Sequence, residues 1–369
     1  MPAIVDAADD LARQLRALDA NAIAYLNGAL RDGLIAAQQS AARYSAEVAS
    51  GNYTNHAAFQ KQRFDGILAQ MREAMSSFST GANAHTASLV SDGIAAAHKV
   101  MAAQISAIGK QAGVAVAWNP VPLDAFNIMA GFTRTGSPLA DIFESANQKG
   151  AAAAGQALRT GVLLGRDSAT VAKGVQNALG VSAYRSHLIA RTELHRTARE
   201  TQRGMMAANA HLYEGWTWRA SLDGTSCAIC WALDGKFFPT KYGQGTTDWH
   251  GAMNANAIPA PQPAWAASPY IPSMISHPNC RCAMVPRPRS FAEILGDPTI
   301  PDARSPFPPQ VGKTRGERAF DALPDVEKLR ILGPTRFKHY QEVPSLTQFL
   351  MVRPNPVWGD TLALRPLCR

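Results

Sequence analysis

A chain of 369 residues, 46% of them hydrophobic and 17% charged, is too long and too apolar to be a disordered tail, and it has room for more than one domain. Its formal charge of +8 permits an acidic or nucleic-acid partner, but the excess is spread along the chain rather than gathered in a patch. No run of about 18 apolar residues reads as a membrane span, and Asp6, Asp9 and Asp10 stand where a secretory signal needs a basic start, so a reducing cytosol is the expected setting.

Alanine and leucine carry much of the apolar content, a mix that favours helices. Three amphipathic stretches open the chain. Leu11, Leu15, Leu18, Ala22, Leu26 and Leu30 form the first stripe, Phe64, Leu68, Met71 and Met75 the second, and Val90, Ile94, Ala97, Met101, Ile105 and Ile108 the third. Turns are expected near Gly51–Asn52 and Ser79–Gly81, so residues 1–117 read as a helical hairpin or bundle, packed within one chain or between copies. Residues 118–138, with Pro120 and Pro122, read as a linker. A helix is expected over 139–163, where Ala151–Gly155 is either a tight helix contact or alanine-rich filler. Another is expected over 169–179, capped by Asp167 or Ser168 and ended by Gly180.

The next expected helix, 183–212, carries His187, Arg191, His195, Arg199 and Arg203 at intervals of four, with Arg196 placed to pair with both Glu193 and Glu200. The plain reading is a solvated helix face. The functional reading is a surface meeting DNA or an acidic partner through Arg191, Glu193, Arg196, Arg199 and Arg203. Beyond Gly215, Trp216-Thr217-Trp218-Arg219 alternates as a half-buried strand does, and Gly235 to Pro239 makes a second strand, giving a hairpin with Cys227-Ala228-Ile229-Cys230 at its tip.

Four of the five cysteines lie in two pieces, Cys227-x-x-Cys230 and His277-Pro278-Asn279-Cys280-Arg281-Cys282. A C-x-x-C pair can chelate one ion, and the second piece offers three further soft donors, an inventory that suits tetrahedral zinc. Cys227, Cys230 and Cys282 are the first choices, with His277 or Cys280 as the fourth ligand. Four protein donors leave no position for an activated water, so the zinc is read as structural, closing the glycine- and proline-rich segment 240–276 at its base. A redox C-x-x-C lacks the strand–helix setting it needs. A zinc nuclease using His250 with Asn254 or Asn256 matches no firm template, and neither a phosphate-binding loop nor a nucleophile triad is legible. Residues 286–316 read as a proline-rich linker, and 317–369 as a tail with a short helix ending at Leu332 before Gly333-Pro334.

Taken together, Ala190-Arg191-Thr192-Glu193, then Asp223, the C-x-x-C, Asp234-Gly235 and His277-Pro278-Asn279-Cys280-Arg281-Cys282 resemble the phage Mu F-like head morphogenesis (minor head protein) family. The lead-in over 165–189 and the ending Leu332-Gly333-x-x-Arg336-Phe337 are similar too, so the resemblance runs from about Leu139 to Leu367 and departs in the long segment between the half-sites. It implies a mainly α protein with a head-morphogenesis core at 139–285 that contains a small zinc-stabilised β-hairpin and irregular module at 215–285. It further implies a non-enzymatic virion component of a tailed double-stranded DNA phage or prophage, present in multiple copies at the head or portal vertex and passing through the host cytoplasm during assembly. The implied partners are the portal, major capsid or scaffolding protein and the packaged DNA. A zinc-containing DNA-binding or DNA-processing protein is the alternative.

Overall fold

The structure, a computed structural model, describes residues 2–49, 57–112, 118–133, 136–164, 166–223, 225–239, 277–299, 313–358 and 361–367. It is mainly helical with a small β component, as expected. Two long helices open it, α1 (Pro2–Ala49) and α2 (Ala57–Ala112). The break expected near Gly51–Asn52 lies outside the described residues. The one expected at Ser79–Gly81 does not occur, because α2 runs straight through it. Gly81 serves packing instead of a turn: a Cβ there would stand 3.0 Å from the Tyr25 hydroxyl, whose ring stacks on His85.

The presumed linker contains a short helix, α3 (Asp124–Asn127), and a 3-10 turn, and α4 (Leu139–Leu163) follows with the expected bounds. The alanine-rich run of α4 makes a tight helix contact, since a Cβ at Gly150 would fall 1.8 Å from Ser182 Oγ and one at Gly155 2.8 Å from Leu68. Asp167 caps α5 (Ser168–Ala208) by accepting from the Thr170 amide at 2.9 Å. Gly180 does not end this helix. An interior glycine costs only about 1 kcal/mol, and the buried stripe Val175, Leu179, Ala183 carries the helix across it.

After α5 the order is β1 (Tyr213–Arg219), α6 (Ala228–Leu233), β2 (Phe237–Pro239) and β3 (Ala283–Pro288). They make a three-stranded antiparallel sheet in the order β2-β1-β3, with Trp216 opposite Phe238 on one side and Pro286 on the other. The proline-rich linker therefore begins inside a strand. Pro286 and Pro288 are tolerated because β3 is an edge, where an absent N–H breaks no inner ladder.

The tail is also more structured than expected. Helices α7 (Phe291–Leu295) and α8 (Arg315–Asp321) each begin with a capping box, Ser290 with Glu293 and Thr314 with Glu317. Helix α9 (Asp325–Glu342) kinks where the sequence places Gly333-Pro334: proline bars helical backbone before it, and Gly333 takes φ 73° and ψ 165°. A hairpin of β4 (Leu350–Arg353) and β5 (Thr361–Leu364) closes the chain.

The chain divides into two compact units that cut across the segments read from the sequence. One comprises Met1–Arg16, Val90–Ala130 and Thr192–Arg369, and the other Ala17–Leu89 and Gly131–Arg191. The core of the second is aliphatic and small, with Leu26, Ala82, Ala154, Leu158 and Val175 around Phe143. That of the first is aromatic, with Trp216, Trp218, Trp231, Phe238, Phe320, Tyr340 and Phe349 joined by Cys230, Cys280 and Cys282.

Candidate metal centre

The site forms where α6 begins. Cys227 is its N-cap, in extended backbone, and Cys230 comes three residues later in the first turn. That spacing brings both side chains to the same side of the turn. The second half-site enters β3 through a tight turn. Asn279 takes φ 68°, a left-handed conformation that asparagine tolerates better than most residues, and its N–H donates to Thr192 Oγ1 at 2.9 Å. His277 and Cys280 are thereby turned toward the C-x-x-C.

The Cys227 and Cys230 sulfurs lie 3.6 Å apart, and His277 Nε2 stands 3.3 Å from the first and 3.2 Å from the second. These edges suit a tetrahedral ion with bonds of about 2.0–2.3 Å. His277 Nδ1 stands 2.8 Å from the Pro278 carbonyl, an outer partner that leaves Nε2 as the ligand atom. Cys230, Cys280 and Cys282 form a second donor triad, all three buried, so Cys230 belongs to both. The structure thus brings together all five residues selected from the sequence, and His277 joins the C-x-x-C directly. The four cysteines here are free thiols rather than disulfides.

The electrostatics split the donors: a hydrogen bond with Cys227 pushes the Cys230 thiol well up, and Cys282, despite a hydrogen bond with Cys230, is pushed up by Cys280 and burial, whereas Cys227 and Cys280 are held down. A hydrogen bond with Cys230, helped by His277 and opposed by burial, draws the Cys227 thiol down to about 4. Burial opposes ionisation of Cys280, but hydrogen bonds from Cys230 and Cys282 and the charges of His277 and Arg199 hold it well below the usual thiol range. Burial likewise opposes protonation of His277, yet the Cys280 and Cys227 sulfurs hold its imidazole well above the ordinary value. Without a metal, protons on imidazole and thiols balance the sulfurs. Zinc would displace those protons and be held by thiolate and imidazole, with donors to spare and no place for a reacting water.

The charged ridge of α5 is not a solvated face. Glu193, Arg196 and Arg199 are 1%, 3% and 2% exposed. Arg196 pairs with Glu193 at 2.7 Å, and Glu200 accepts from Arg203 at 2.9 Å. Glu193 also accepts from Trp358 Nε1 at 2.7 Å, joining the C-terminal hairpin to the helix. Arg199 Nη1 donates to Cys280 Sγ at 3.7 Å. Arg191 belongs to the other unit, where it grips both oxygens of Asp19 at 2.9 Å. Of the proposed contact residues Arg203 keeps the most exposure, its side chain 38% accessible. A helical interval of four reads the same against water as against a sheet, which is why the ridge looked solvated.

Helix α6 is locked by residues that no local spacing announces. Asp234, fully buried, accepts from the Ala220 amide at 2.8 Å and from both Nε and Nη2 of Arg315 at 2.8 and 2.6 Å. The Gly316 amide donates to the Asp234 carbonyl, and a Cβ at Gly316 would fall 2.2 Å from the Trp231 carbonyl. Helix α8 therefore seats on α6 through a contact only glycine allows. Lys236, just after the Gly235 turn, is buried as well. Burial lowers its ammonium to about 8, with Glu317 partly offsetting the shift.

This arrangement defines a helix-backed, three-stranded module closed by a cysteine–histidine cluster. Residues 153–285 match the family model described as Phage Mu protein F like protein, so the resemblance carried by the sequence motifs is shown over that segment, which contains both half-sites. No curated protein and no solved structure matches the chain. Among the described residues no helix is long and apolar enough to cross a membrane.

Proposed function

We propose that this chain is a minor head protein of a tailed double-stranded DNA phage or prophage, acting in procapsid assembly at the portal vertex. Its cysteine–histidine cluster holds one structural zinc. The observation that carries the reading is the family match over 153–285, which begins within α4 and ends in β3 at Val285, so it spans the whole candidate metal centre. The family supports a role in head morphogenesis; several copies per virion, contact with portal, major capsid or scaffolding protein, and contact with packaged DNA are the finer parts of the proposal.

The role is mechanical rather than catalytic. The metal would fix α6, the 277–282 turn and β3 to one another, giving a rigid surface for assembly. The alternative, a zinc-dependent nuclease or DNA-binding protein, loses much of its motive because Arg196 and Arg199 point into the fold. Imaging particles assembled with and without this chain tests the proposal. Aberrant or DNA-poor heads in its absence are expected, and normal yield, DNA content and infectivity would overturn it.

A further inference from the structure

We infer that Arg199 is the outer-shell residue of the metal centre, holding Cys280 as the fourth ligand and supplying the countercharge that lets the site be buried. The inference rests on the zinc reading above. A guanidinium only 2% exposed cannot stand in a protein interior without partners. Arg199 has three of them: Nε donates to the His195 carbonyl at 2.8 Å, Nη1 donates to Cys280 Sγ at 3.7 Å, and the cation lies 5.2 Å above the Trp218 ring. Backbone and indole fix the guanidinium, so the sulfur it meets is fixed too.

Charge counting leaves room for one thiolate beside the C-x-x-C, and the Arg199 contact assigns that place to Cys280. A divalent ion with Cys227, Cys230, Cys280 and neutral His277 carries one net negative charge, which one arginine cancels. Adding Cys282 as a further thiolate would leave a second, uncompensated negative charge in the core that also holds Trp218 and Met284, where burying charge is costly. Cys282 accordingly stands beside the shell rather than in it. Outer-shell donors of this kind orient ligands and tune affinity, and their loss weakens metal binding by about 10- to 100-fold.

The test uses the full chain reconstituted with zinc and then with cobalt(II), whose thiolate charge-transfer absorption counts sulfur ligands. Arg199→Met is expected to keep one metal per chain while losing about 10- to 100-fold in affinity against a competing chelator, with Arg199→Lys falling between it and wild type. Cys280→Ser is expected to lose one thiolate's share of the cobalt absorption, and Cys282→Ser to keep all of it. Affinity in both arginine variants equal to wild type, or the loss appearing in Cys282→Ser, would overturn the inference. Should Arg199→Met fail to fold, the lysine variant and the two cysteine spectra decide. A wild-type chain that takes up no metal would instead end the zinc reading itself.

Discussion

Helix α5 carries two chemistries along its length. Its first part, to Arg191, lies in the aliphatic unit and buries Val171, Val175, Leu179 and Ala183. Its second part, from Thr192, lies in the aromatic unit and buries Thr192, Glu193, His195, Arg196, Thr197, Arg199, Thr201 and Gln202. The apolar stripe of the first part is held by close packing, with the Arg191–Asp19 pair at its end, and it tolerates Gly180 in mid-helix. The polar part needs a partner for every group, because an unpaired polar group in the interior costs about 1–3 kcal/mol or more. Some partners lie within the helix, as for Thr197 and Thr201, but others come from far along the chain: Trp358 for Glu193, the Asn279 amide for Thr192, Cys280 for Arg199 and the Met284 carbonyl for Gln202. The apolar part thus needs mainly helix-on-helix contact, whereas the polar part needs the cysteine–histidine module and tail in place.

If that contrast is right, substitutions in the two parts should differ in size and in sign. The largest effect is expected for Glu193→Ala, which strands the buried Arg196 and removes the Trp358 acceptor; a loss of about 3–5 kcal/mol is expected in denaturant unfolding. Gly316→Ala comes next, pressing a methyl into the Trp231 carbonyl and displacing α8, with about 1–3 kcal/mol lost. An unchanged denaturation midpoint would remove α8 from the account of α6.

A pH series isolates Lys236. Its ordinary value is 10.5 and its folded value about 8, so between those pH values the unfolded chain binds more protons. Lysine thus contributes a stability that rises with pH across roughly pH 8 to 10, and its full penalty applies at neutral pH. Lys236→Met should flatten that rise, and an identical slope in wild type and variant would contradict the burial of this ammonium. The smallest effect belongs to the apolar part. Gly180→Ala, with nothing within 4 Å of the added methyl, should gain about 0.5–1 kcal/mol. A loss there would mean that α5 is not helical through that position.

Much of this was legible from residue spacing. The periodic stripes marked the long helices, and the bounds of α4 emerged unchanged. The C-x-x-C and the later His-x-x-Cys-x-Cys marked five candidate donors, which the fold groups into two triads that share Cys230. What stayed hidden depends on distant partners. Strand β3 reads as a linker because Pro286 and Pro288 are compatible with a strand only at an edge. The ridge of α5 reads as solvated because nothing local announces that Trp358 and Cys280 will cover it. Gly316 looks like any loop glycine until Trp231 is placed against it.

A closed zinc site at the cysteine–histidine cluster would organise the polar end of α5. Metal content of the purified full chain, measured beside Cys227→Ser and followed by near-ultraviolet circular dichroism during chelation, tests this most directly. One zinc per wild-type chain is predicted, less in the variant, with the tryptophan signals of the aromatic unit collapsing as metal leaves. A metal-free wild-type chain with intact tryptophan signals and the stability of its variant would contradict the account.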